Sequence, residues 1–178
     1  MLEALITSKT RLKLLLKFFL NSSNISYLRR LEPEFGESTN AIRLELNRFE
    51  KANLLVTSTQ GNKKLFQANT KHPLFSEIHN LLLKHTGIDK IIDKVIDNIG
   101  DITEVYLVGD LALGKNSKII DLWFVGNKID SGYILNLVEK AEKLINKKIR
   151  YIILSINELS TFKASKSSNE LLLLWKSE

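Results

Sequence analysis

From Lys9 onward the apolar positions Leu12, Leu15, Leu16 and Phe19 recur in steps of three and four, the spacing that lines one face of a helix. Ser8 stands just before them, and its hydroxyl can accept from the first amides that lack a helical partner, so a first helix is expected to run to about Asn21. A short second helix is read over about residues 25 to 32, where Tyr27, Leu28 and Leu31 share a face and Pro33 stops or distorts the last turn. Gly36 supplies a tight connection. Ser38 then caps a third helix, TNAIRLELNRFEKAN, with Ile42, Leu46 and Phe49 on one side and Ala52 extending that side.

The pattern then changes period. LLVTS and KLFQAN read as two strands joined by the Gly-containing loop Thr59-Gln60-Gly61-Asn62-Lys63, with Lys63 and Lys64 at or beside its tip. His72-Pro73 ends the hairpin, because the residue before proline is pushed out of helical geometry. Leu74, Ile78, Leu81, His85, Ile88, Ile92, Val95 and Ile99 next alternate in fours and threes, giving two consecutive helices over about 73 to 85 and 88 to 99. Such a stripe suits either pairing with a second copy or covering the chain's own domains.

After residue 100 two strands are expected, from Thr103 to Val108 and from Ile119 to Val125, both rich in β-branched and aromatic residues. A long amphipathic helix follows Gly132, with Ile134, Leu137, Val138, Ala141, Leu144 and Ile145 inward, and IRYIILSI is a third strand. Asn157 can cap a short helix, and Ser167 with Glu170 forms a capping box before LLLLW. The sum is an α+β chain with a small mixed sheet carrying helices. Its expected organisation is residues 1–71, a helical connector over 72–100, and a second domain over 101–178.

Charge sharpens this division. Residues 1 to 71 hold twelve Lys and Arg against six Asp and Glu, whereas the remainder holds fourteen of each, so the net charge of +6 lies in the first part. A basic N-terminal module points toward a polyanionic partner. No apolar run is long enough to span a membrane, and the first residues lack the order of a secretory leader. The absence of Cys removes thiol chemistry and fits a cytoplasmic protein.

The ordered set SKTRLKLLLKFFL, YLRRL and STNAIRLELNRFEKANLLVTSTQGNKKLFQAN resembles the winged helix-turn-helix regulators of the ArsR/MarR-like class. The resemblance implies that Ser38, Thr39, Asn40, Arg43 and Asn47 face a DNA major groove, with Lys63 and Lys64 on flanking phosphates. Asn53 stands where such proteins commonly carry Gly. With no Cys and no clustered His, the metal-sensing subset is not expected.

The stretch VYLVGDLALGKNSKIIDLWFV resembles the signature of minimal nucleotidyltransferases, a glycine turn followed by carboxylates on the next strand, and the likeness runs from about Asp101 to Trp175. Gly109, Ala112, Gly114, Asp121 and Leu122 match that signature. Asp110 stands in place of the serine of the turn, Ile119 in place of the first acid, and Arg150 nearest the place of a third. Transfer of this kind ordinarily uses carboxylates that hold divalent ions, commonly two about 4 Å apart. The resemblance therefore implies a remnant nucleotide site at Gly109, Asp110, Gly114 and Asp121, with no catalytic or metal-binding residues and no cofactor. Asp121 and Arg150 are expected to pair there.

The reading reached on these grounds is a sequence-specific DNA-binding transcriptional regulator, a winged helix-turn-helix followed by a nucleotidyltransferase-like domain that serves packing, dimerisation or ligand sensing rather than catalysis. Its expected partners are double-stranded DNA, a second copy of the chain, and a small-molecule or nucleotide effector, with no membrane. The alternative is a nucleotidyltransferase acting on a protein or small molecule, or an antitoxin-like partner protein.

Overall fold

The computed structural model describes residues 2–96 and 102–177, with the backbone alone at 94–96. The expected helix positions Val95 and Ile99, and the domain start at Asp101, fall outside the described side chains. The chain forms two compact units, one reaching to His85 together with Gly114–Asn116, the other comprising Thr86–Leu113 and everything from Ser117.

In the first unit α1 (Lys9–Leu15) begins at Ser8, whose hydroxyl accepts from the amide of Arg11. Leu16–Leu20 continues it as a wider π-helical turn. All of Leu14–Leu20 is buried, which exceeds the single stripe that the spacing predicted. Even Lys17 is only 3% exposed, and its ammonium donates to Glu34 at 2.7 Å. Each fully buried Phe or Leu of this run stabilises the unit by roughly 1.5–3 kcal/mol.

The second helix, α2 (Leu28–Phe35), starts three residues later than expected. Ser26 is instead extended and exchanges backbone hydrogen bonds with Phe66 of the hairpin, which holds the chain out of helical geometry. Pro33 sits inside α2, and Gly36 closes it in the left-handed region at φ 61°. α3 (Thr39–Lys51) is capped by Ser38 and buries Ile42, Leu46 and Phe49, as its pattern predicted. Ala52 is exposed, because the helix ends at Lys51, and Glu45 takes an inward place. Asn53 has φ 56°, the conformation that suits glycine best and asparagine next.

The hairpin pairs β1 (Leu55–Gln60) with β2 (Lys63–Ala68) from Leu55 opposite Ala68 to Gln60 opposite Lys63. Its loop is therefore Gly61-Asn62 alone, shorter than expected, and both lysines belong to the strand. α4 (Phe75–Thr86) packs Phe75 against Phe19 at 5.9 Å between ring centres, and His79 Nδ1 lies 2.8 Å from the Phe19 carbonyl.

In the second unit α5 (Ile88–Ile96) precedes a four-stranded sheet of order β5-β4-β3-β6. Its strands are β3 (Ile102–Val108), β4 (Ile119–Gly126), β5 (Lys148–Leu154) and β6 (Leu171–Lys176). β4 and β5 are parallel, with α7 (Ser131–Ile145) between them in sequence, while β3 runs antiparallel to β4 and β6. Tyr106, Val108, Trp123, Val125 and Leu154 form one buried cluster, against which Leu159 of α8 (Ile156–Ala164) and Leu171 pack. The alternate positions Val105, Leu107, Leu122 and Phe124 are buried on the other face.

Three local expectations are corrected here. α7 begins at Ser131, ahead of Gly132 and not after it, because Asp130 caps it by accepting from the amides of Gly132 and Tyr133. Ser155 with Glu158 forms the capping box of α8, so Asn157 lies inside that helix. The Ser167–Glu170 box is present, yet it encloses one short 3-10 turn, and LLLLW is the edge strand β6. A short apolar run fits strand or buried helix alike, and only its pairing with β3 decides.

Candidate active site

β3 ends at Val108, and Gly109, at φ 71°, begins the short helix α6 (Gly109–Ala112). A side chain there is excluded twice over. The backbone is left-handed, and a Cβ would stand 2.8 Å from Oδ2 of Asp121. The neighbouring strand thus brings Asp121 directly against the turn, opposite Val108.

On its other side Asp121 faces Arg150 across the parallel β4–β5 pair. The guanidinium closes a two-pronged contact, Nε donating to Oδ1 at 2.6 Å and an Nη to Oδ2 at 2.9 Å. This is the pair expected from the sequence. Its hydrogen bonds, then the Asp121 charge, raise Arg150 above its ordinary value, and the charge of Asp110 adds to this. The Asp121 side chain is 18% exposed and that of Arg150 68%, so the carboxylate is largely covered while the guanidinium reaches into solvent.

Around the pair lies a cleft of about 390 Å³ whose lining includes Gly109 and Lys166, the latter just past α8. Trp123 and Ile152 supply its apolar wall, Trp123 being braced edge-to-face by Phe162 at 5.7 Å. Two cations thus accompany one carboxylate. Lys166 and Trp123 escaped the sequence reading because neither belongs to the glycine-and-acid signature; the order of the sheet and α8 bring them in.

The donor set does not fit a pair of divalent ions. Both oxygens of Asp121 are engaged by a guanidinium, Ile119 offers no ligand, and no group of three or more potential metal ligands occurs among the described residues. Gly114 is also displaced from its expected role. It belongs with the first unit, where its φ of 73° and the Leu16–Lys17 backbone, 2.3 Å from a would-be Cβ, require glycine. Packing therefore explains that glycine.

A second polar group sits on the same sheet face. Tyr106 donates to Glu104 at 2.5 Å, and Lys163 donates to the Tyr106 oxygen at 2.5 Å. Burial would raise the Glu104 carboxyl, but Tyr106, Lys163 and Lys176 hold it below its ordinary value. Burial first, then the Glu104 hydrogen bond, pushes the Tyr106 phenol up. These groups tie α8 to the sheet.

In the first unit Arg43, Asn47, Lys63 and Lys64 border one concavity, while Ser38 is used as the α3 cap and Thr39 and Asn40 lie in the first turn. Lys64 is paired with Glu50 at 2.6 Å, and Lys63 stands 4.7 Å from the centre of the Tyr27 ring. The two lysines thus have partners within the unit, and Lys63 stands directly beside the two-residue loop.

No protein-family model matches the chain, and no curated protein matches it. Among solved structures it is similar to a variant of the toxin–antitoxin MntA-HpeT, at 21% identity over 51% of this chain and 73% of that one with a TM-score of 0.41. It is also similar to a putative nucleotidyltransferase from Sulfolobus solfataricus, at 23% identity over 57% of this chain and 87% of that one with a TM-score of 0.39. A toxin–antitoxin with AMP-PNP gives 19% identity over 54% and 76%, with a TM-score of 0.40.

These neighbours are described as a nucleotidyltransferase and as toxin–antitoxin proteins, and none of the three as a DNA-binding regulator. Two expectations are corrected accordingly: sequence-specific transcription regulation on double-stranded DNA, and a C-terminal domain without enzymatic activity. The structure is α+β, as expected, and no helix among the described residues is long and apolar enough to cross a membrane.

Proposed function

We propose that the chain is a nucleotidyltransferase-type protein whose C-terminal domain moves a nucleotidyl group from a nucleoside triphosphate to a hydroxyl of a protein or small-molecule acceptor. The observation that supports it most is the cleft at the end of β3, where Gly109, Asp121, Arg150 and Lys166 converge. The Arg150 fork matches a phosphate as well as it matches a carboxylate. A triphosphate entering the cleft would exchange with Asp121 for Arg150, with Lys166 taking further phosphate charge.

The released Asp121 carboxylate, with Asp110 on the adjoining turn, then stands ready to accept the proton of the incoming hydroxyl. The hydroxyl oxygen bonds to the α-phosphorus, the bond to the bridging oxygen breaks, and pyrophosphate leaves against the two cations. A chain without cysteine suits such work in the cytoplasm. Incubating the protein with each α-labelled nucleoside triphosphate, with and without Mg²⁺ or Mn²⁺ and in the presence of extract from its native host, tests this. Label should appear on an acceptor and vanish in Arg150→Ala. Absence of transferred label with every nucleotide would remove the assignment.

A further inference from the structure

The first unit contains a concavity of about 520 Å³, within the size range of small-molecule sites. Its floor is apolar, formed by Leu28, the buried Leu46 of α3 and the buried Phe66 of β2. Arg29, Arg43 and Lys63 stand around it, and no Asp or Glu lines it. Arg29 and Arg43 make no ion pair among the described residues, and Lys63 rests over the Tyr27 ring. Lys64 differs, since Glu50 neutralises it. Asn47 and Asn62 add amides able to donate or accept.

An apolar floor beneath unneutralised cations is matched by a molecule with the same two parts. We propose that this concavity binds a small phosphorylated molecule with a planar apolar body, its phosphate taken by Arg29 and Arg43 and its body lying on Leu28, Leu46 and Phe66. Inorganic phosphate would leave the floor unused, and a neutral ring would leave the cations unused. Duplex DNA, like inorganic phosphate, would engage the cations and leave the apolar floor unused. Asn47 on the wall supplies directional hydrogen bonds to the phosphate or to a ring substituent.

Titration calorimetry of the full chain with phenyl phosphate, phenol, inorganic phosphate and duplex DNA tests the assignment. Phenyl phosphate should bind at least about tenfold more tightly than phenol or inorganic phosphate. Arg43→Gln and Arg29→Gln, both at exposed positions, should each weaken it about tenfold with unchanged thermal unfolding, whereas Arg150→Ala leaves it intact. Equal binding of inorganic phosphate would reduce the feature to surface cations and overturn the proposal. Loss of binding in Arg150→Ala, no binding of phenyl phosphate, or its displacement by duplex DNA at lower concentration would each overturn it as well.

Discussion

Glu45 and Asp121 are both carboxylates gripped by arginine, and they differ in what surrounds them. Glu45 points inward from α3, its side chain 7% exposed, with Arg11 at 2.9 Å and Arg48 at 2.7 Å. Asp121 faces a cleft, and its partner Arg150 lies largely in solvent. The same chemistry therefore ties helices together in the first unit and leaves an exchangeable contact in the second. A charge pair is structural where water cannot replace a partner, and available for ligand exchange where it can.

Removing the two carboxylates should separate these roles. Glu45→Ala leaves Arg11 and Arg48 without their acceptor and should destabilise the chain by about 2 kcal/mol, below the value for a fully buried pair because both arginines can rehydrate. Chemical denaturation measures this, and a change under about 0.5 kcal/mol would equate the two sites. Acid should reveal the same asymmetry. Burial would raise the Glu45 carboxyl, but Arg11 and then Arg48 hold it below the ordinary 4.5. A depressed carboxyl contributes stability above its unfolded value and loses that contribution as pH falls through the folded value. Glu45→Gln should accordingly flatten stability below about pH 4.5 relative to the unmodified chain.

Gly109→Ala comes next in size. The left-handed backbone costs an L-residue about 1–2 kcal/mol, and the new Cβ would push Asp121 away from the turn. Its thermal unfolding should fall moderately while nucleotide binding is lost, and retained binding would show that Asp121 needs no contact with the turn. Asp121→Asn should have the smallest effect on folding, under about 1 kcal/mol, because water can solvate the exposed Arg150. A large loss of stability there would make the pair structural, like that at Glu45.

Much of the frame could be read from the sequence because local chemistry announces it. Ser8 and Ser38 cap where they should, Ile42, Leu46 and Phe49 face inward, and the runs around Val105 and Trp123, rich in β-branched and aromatic residues, are strands. What failed depends on distant partners. Ile25 to Tyr27 is extended because Ser26 pairs with Phe66 forty residues on, and LLLLW is a strand because β3 has an open edge. Gly114 matched a nucleotide-binding signature, yet its contact with the backbone at Leu16 and Lys17 accounts for it. For the candidate site, Asp121, Gly109 and the Arg150 pairing were legible through the resemblance of the glycine turn and its following strand to the nucleotidyltransferase signature, while Lys166 and Trp123 become neighbours only when the sheet and α8 assemble. The basic N-terminal surface misled for an allied reason. Charge counts cannot show that Lys64 is neutralised by Glu50 or that Arg43 lines a hollow.

The central claim is that phosphate and Asp121 compete for one guanidinium. The side-chain Nε–Hε resonance of Arg150, followed by NMR while each nucleoside triphosphate is added, reports on that exchange directly. The resonance should move and saturate with at least one nucleotide, and the response should weaken in Lys166→Ala. A resonance that stays in place with all four nucleotides at millimolar concentration would contradict the account.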